Sequence, residues 1–89
     1  MNQFYYVYIL VSLKDKDFYI GYTDDLKDRM ARHNNGEVQS TKNRTPLKLV
    51  YYEACLNQND AVKREKYLKT TWGKRYVNNR LESYFKRQI

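Results

Sequence analysis

Two apolar, tyrosine-rich segments separated by a five-residue, mostly charged loop constrain this chain most. FYYVYILVS at residues 4–12 is β-branched and aromatic, LKDKD at 13–17 is a polar loop, and FYIGY at 18–22 returns. Such a pairing predicts a β-hairpin. Successive strand side chains point to opposite faces. Val7, Ile9 and Val11 therefore share one face of the first strand, and Tyr6, Tyr8 and Leu10 the other. If Phe18 and Ile20 join the Val7/Ile9 face as core, Tyr8, Tyr19 and Gly21 share the opposite one. Cross-strand aromatic packing is one use of that face. A glycine between Tyr19 and Tyr22 speaks for another, because it trades packing for room.

The remaining elements follow from caps and breakers. Thr23 or Asp24 can cap a helix that Asn34, Asn35 and Gly36 end, with Asp24, Asp25 and Asp28 near its positive N-terminus. Residues 37–46 have no period and read as a loop with at most one short helical turn; LKLVYYEA at 47–54 is a third strand. Asn57 or Asn59 caps a helix through about Thr71, Gly73 breaks it, and residues 74–88 form a last helix. The expected order is β-β-α-β-α-α, one domain over residues 1–89, in the α/β (α+β) class. Only three Gly and one Pro among 89 residues, 42% of them hydrophobic, exclude a disordered chain. Cys55 has no partner for an internal disulfide, so a reducing, cytoplasmic setting is expected. The run FYYVYILV lacks a basic start and falls short of the roughly 20 residues a bilayer crossing needs, so no membrane association is expected.

Charge is segregated. Residues 1–60 hold eight Lys/Arg and eight Asp/Glu, whereas residues 61–89 hold nine Lys/Arg against Glu65 and Glu82, which is the whole net +7. A basic segment of this kind suits a polyanionic partner; a solvated helix surface is the plainer alternative.

Two helical positions break the apolar pattern. At 100° per residue, Glu65 falls about 40° from Ala61, inside a stripe with Leu68 and Trp72. It either sits at the stripe's edge paired with Lys69, or is buried and needs a partner, a proton or an ion. In the first helix, Leu26, Met30 and His33 share a face, with Arg29 about 40° from His33. Separately these are a core histidine and a solvated arginine. On a helix that begins where the tyrosine strand ends, they can form one cluster.

YVY at 6–8 and YIG at 19–21 resemble the paired signature of the GIY-YIG nucleases. The resemblance continues through Arg29, His33, the loop residues Ser40, Thr41, Arg44 and Pro46, LVYYE at 49–53 and REKYLK at 64–69. The first motif departs from Gly-Ile-Tyr at its first residue, but its tyrosine is kept at Tyr8. The chain is similar to the small stand-alone bacterial members, which resemble the nuclease domain of the excision-repair incision subunit. The resemblance implies a three-stranded, mainly antiparallel sheet flanked by helices, and a phosphodiester cut that depends on one Mg²⁺ or Mn²⁺ ion. It makes Tyr8 and Tyr19 the site tyrosines, one of them the general base. Arg29 would hold the scissile phosphate, His33 relay a proton, and Glu65 bind the metal. A late asparagine is expected near the phosphate; Asn78 and Asn79 both fit, with Asn79 preferred. Gly21, Lys42, Arg44, Lys69, Lys74 and Arg75 complete the expected nucleic-acid surface. The lysine that some relatives carry after YIG is Tyr22 here.

The expected partner is DNA, with RNA open, and a homodimer or a protein partner is a further possibility for specificity. Lysine and arginine bind phosphates without reading sequence. Recognition by shape, at flaps, branches or single-stranded ends, is therefore expected, with a role in repair or recombination. The alternative is a catalytically idle module that only binds nucleic acid. A phenol with a pKa near 10 is about one part in a thousand ionised at neutral pH. Either Arg29 and the ion lower that value, or a neutral phenol passes the water's proton to His33.

Overall fold

The computed structural model describes residues 3–87. Three strands form one antiparallel sheet: β1 (Tyr5–Ser12), β2 (Phe18–Thr23) and β3 (Leu47–Cys55), in the order β2-β1-β3. Helices α1 (Leu26–Asn34), α2 (Gln58–Leu68), α3 (Thr71–Arg80) and α4 (Glu82–Arg87) complete the chain. The hairpin pairs Tyr8 with Gly21, Ile9 with Ile20 and Leu10 with Tyr19. On the other side of β1, Tyr8 pairs with Tyr52.

β1 is buried on both faces, which is why it reads as a nearly continuous apolar run. On one side Val7, Ile9 and Ile20 pack with Ala61, Leu68 and Val77 of α2 and α3. On the other, Tyr8, Leu10 and Leu47 pack with Tyr19, Leu49 and the α1 residues Leu26 and Met30. The division of faces expected from the alternation is the one found. The hairpin loop is tied inward by Ser12, fully buried, whose hydroxyl donates to the Arg44 carbonyl at 2.6 Å. The same oxygen accepts the Lys14 and Asp15 amides.

Several expected boundaries are corrected. Asp25, not Thr23 or Asp24, caps α1: its carboxylate accepts the Asp28 amide at 3.1 Å, while Thr23 accepts the Asp25 amide. Asn57 caps α2, which ends at Leu68 rather than near Thr71. Thr70 takes extended backbone angles there, and its hydroxyl accepts the Gly73 amide at 3.1 Å, starting α3. Gly73 is thus inside a helix, and it breaks none. A Cβ built on it would lie 2.2 Å from the Tyr67 carbonyl oxygen and 2.3 Å from the Leu68 Cα, so the glycine lets α3 press against the end of α2. The single last helix expected over 74–88 is two, α3 and α4, parted at Leu81; residue 88 lies outside the described residues. The order is therefore β-β-α-β-α-α-α. Trp72, beyond the α2 terminus, leaves the Ala61/Leu68 stripe and is exposed. Among the described residues no helix is long and apolar enough to cross a membrane.

Candidate active site

Tyr8 lies at the centre of the sheet, and its ring leans over Gly21. A Cβ at position 21 would stand 2.3 Å from the Tyr8 hydroxyl oxygen and 2.4 Å from its Cζ. The room that the glycine leaves is filled by the phenol of the neighbouring strand. This position carries Tyr8 Oη to within 2.8 Å of His33 Nε2, and Arg29 Nε donates to the same oxygen at 3.3 Å. His33, fully buried where α1 meets the sheet, places its Nδ1 2.7 Å from Thr41 Oγ1, itself fully buried. Tyr19 stands with its ring centroid 5.3 Å from that of His33 and 6.4 Å from that of Tyr8. Its hydroxyl accepts from Ser40 Oγ at 3.3 Å. Four of the five expected catalytic side chains thus meet on one face: three are joined in the chain Thr41–His33–Tyr8–Arg29, and the Tyr19 ring stands beside it.

Burial and the neighbouring cation set the protonation states. Burial pushes the Tyr8 phenol above its usual range; the Arg29 hydrogen bond works against this, and the neighbouring Tyr19 phenol and Glu65 carboxylate add to the rise. Arg29 acts in the expected direction, but burial outweighs it. Burial, and after it the Arg29 charge, holds the His33 imidazole down at about 4. At neutral pH this ring is uncharged, with one nitrogen donating and the other accepting. The Tyr8 bond raises the Arg29 value, keeping the guanidinium charged.

Glu65 lies on α2, and its charge is the smallest of the influences that raise the Tyr8 value. Its side chain is 20% exposed and accepts Lys69 Nζ at 3.1 Å, the i+4 pairing of the two expected options. Among the described residues no three His, Cys, Asp or Glu side chains gather to hold an ion. A single carboxylate on α2 nevertheless fits Mg²⁺, which keeps several waters and takes one or two carboxylates besides substrate phosphates.

A cavity of about 240 Å³ opens beside Tyr19 at the β2 edge, lined by Asp17, Phe18, Tyr19, Ile20, Lys69 and Lys74. Lys69 and Lys74 are thereby placed next to the site. Asn78, on the Lys74 side of α3, donates to the Lys74 carbonyl at 3.0 Å, whereas Asn79 is exposed about 140° around the helix from Lys74. Arg75 lies with its guanidinium 5.0 Å from the Trp72 ring centroid, and Lys42 is exposed in the loop before β3. Arg44 is engaged elsewhere, by two hydrogen bonds of 2.6 and 3.2 Å to Asp15 in the hairpin loop. Those bonds hold the Asp15 carboxyl at about 2. Thr41 had no assigned role in the sequence reading. A threonine in an aperiodic loop gives no sign of its burial, and only the position of His33 reveals it.

Comparison with known proteins agrees with this arrangement. Residues 4–82 match the family model described as the GIY-YIG catalytic domain. A UPF0213 protein of Haloquadratum walsbyi is 41% identical over 71 residues, 79% of each chain. One of Clostridium perfringens is 46% identical over 65 residues, 72% of this chain and 69% of its own. The solution NMR structure of a UPF0213 protein from Bacillus halodurans superposes with a TM-score of 0.53 at 32% identity, covering 85% of this chain and 83% of that one.

Proposed function

The chain belongs to the GIY-YIG family of nuclease domains, and from that premise we propose a metal-dependent endonuclease that cuts DNA by shape rather than by sequence. The observation that carries the proposal is the buried Thr41–His33–Tyr8 chain with Arg29 at its end. A protein that merely bound nucleic acid through basic helices would gain nothing from desolvating an imidazole against a phenol, at a cost in stability.

The proton inventory favours a relay over a phenolate. Assigning the Nδ1 proton of His33 to Thr41 leaves Nε2 to accept the Tyr8 hydroxyl. The Tyr8 oxygen, already receiving Arg29, keeps acceptor capacity for a water. As that water is deprotonated its proton passes to Tyr8, and the proton of Tyr8 passes to His33 Nε2. The phenol stays neutral throughout, in keeping with its raised pKa. Tyr19, less enclosed and beside the cavity, would orient the water.

Arg29 has further N–H groups for a phosphate oxygen. A phosphate there would offset the positive charge that depresses His33, so substrate binding would strengthen the final proton acceptor. Glu65 would hold one Mg²⁺ or Mn²⁺ ion, with Lys69 yielding the carboxylate. When bound, that ion supplies charge stabilisation for the phosphate and the leaving oxygen. Lys69 and Lys74 would hold a neighbouring phosphate. Basic side chains that bind phosphates without reading bases support selection by shape; the setting proposed for it is the cytoplasm, in repair or recombination.

The test is incubation of the purified protein with linear, flapped and four-way-junction DNA, with and without Mg²⁺ or Mn²⁺. Cleavage of the branched substrates should require the ion and vanish in Glu65→Gln. Equal nicking by that variant, or binding with no cutting under any ion, would refute the proposal.

A further inference from the structure

Trp72 is the most exposed large apolar side chain among the described residues, at 66%, and it is the only tryptophan in the chain. A side chain of this size ordinarily buries 150–250 Å². Here it belongs to neither core, since α2 ends at Leu68 and Trp72 lies beyond it, in the first turn of α3. The Arg75 guanidinium lies 5.0 Å from its ring centroid. At 100° per residue, Arg75 and Asn79 fall about 60° and 20° from Trp72, and all three are exposed. The stripe therefore combines an aromatic face, a cation beside it and an amide. Lys74 points about 160° the other way, to the cavity beside Tyr19.

Resting on the nuclease reading, we propose that Trp72 and Arg75 form a base-stacking platform, so that the substrate carries an unpaired base on the strand leaving the site over the α2–α3 turn. Phosphates alone do not account for the stripe, because an aromatic ring offers a phosphate nothing. A nucleobase presents a flat face to the ring, and its backbone presents charge to the cation. A paired base inside a duplex has no free face; one in a single-stranded stretch, a flap or a frayed end does. The charge of the surroundings selects nucleic acid over an apolar protein partner, since residues 61–89 hold nine basic side chains and two acidic ones. Asn79 adds hydrogen-bonding capacity toward a base edge.

Because Trp72 is alone, its fluorescence reports the event directly. The parent protein and its Trp72→Ala and Trp72→Phe variants are titrated in EDTA, where no cutting occurs. The probes are a short oligothymidylate and an abasic oligonucleotide of the same length. Oligothymidylate should quench the parent's fluorescence in step with binding measured by anisotropy. The abasic strand, equally charged, should bind without comparable quenching. Trp72→Ala should lose about 10-fold in affinity for oligothymidylate and none for the abasic strand, with Trp72→Phe recovering most of the loss. Equal quenching by the abasic strand, or full affinity in Trp72→Ala, overturns the platform. The nuclease reading is judged separately, by cleavage of branched DNA with Mg²⁺ or Mn²⁺, on which quenching in EDTA does not depend.

Discussion

The chain has a single histidine, so the protonation of the proposed relay can be measured without ambiguity. His33 is fully buried and its imidazole is held at about 4, against the 6.5 of the free side chain. The unfolded chain therefore takes up the proton first as acid is added. The contribution of His33 to stability is complete above about pH 6.5, falls as the pH drops toward 4, and changes no further below that. A separation of about 2.5 units at 1.36 kcal/mol each puts the loss at about 3 kcal/mol at most. Carbon-bound ring protons followed by NMR should show no midpoint near 6.5 and one close to 4. Urea unfolding at pH 7 and pH 4.5 should reveal a destabilisation that His33→Gln lacks.

The same resonance tests how the site responds to substrate. Arg29 is the smaller of the two causes of the depression, burial the larger. Arg29→Met should therefore raise the midpoint while leaving it below 6.5. Binding of uncut DNA to Glu65→Gln should raise it too, because a phosphate on the guanidinium offsets the same charge. A folded parent titrating near 6.5, or a midpoint indifferent to Arg29→Met, would refute the electrostatic account. A midpoint indifferent to bound DNA would remove Arg29 as the phosphate ligand.

Gly21→Ala places a Cβ 2.3 Å from the Tyr8 hydroxyl, so the ring must leave His33 and Arg29; a destabilisation of about 1–3 kcal/mol is expected, read as a lower urea midpoint at unchanged slope. A variant of parental stability in which His33 still titrates near pH 4 would contradict that packing. Lys69→Met removes the ammonium paired with Glu65, an interaction worth under about 1 kcal/mol at such exposure, so folding should barely change. Mn²⁺ binding followed by electron paramagnetic resonance should tighten in this variant. Unchanged or weaker binding would mean that Lys69 and the ion do not compete.

What could be read from the sequence depended on whether a side chain's surroundings were local or distant. The hairpin faces were legible because alternation over Val7, Ile9 and Ile20 is local, and both sides of β1 are buried. The α2 terminus was not: Gly73 has the composition of a breaker, and its packing role depends on the Tyr67 carbonyl that the turn brings beneath it. Trp72 was misplaced by the same error, since extending one helical period across Thr70 rotated it into a stripe it never joins. Arg29 and His33 could be seen to lie near one another, but not that Thr41 closes the chain from a loop without periodicity.

Sheet register accounts for why the site itself was nevertheless visible. Side chains alternate, so a chain that commits Val7, Ile9 and Ile20 to Ala61, Leu68 and Val77 commits Tyr8 and Tyr19 to the side of α1. A slip of one residue would drive the phenols into the larger core and expose the aliphatic face. The core thus enforces the placement of the polar cluster, and Gly21 is what that placement requires of the neighbouring strand. Substitutions that preserve the core pattern but shift the register should abolish the His33 perturbation before they abolish folding.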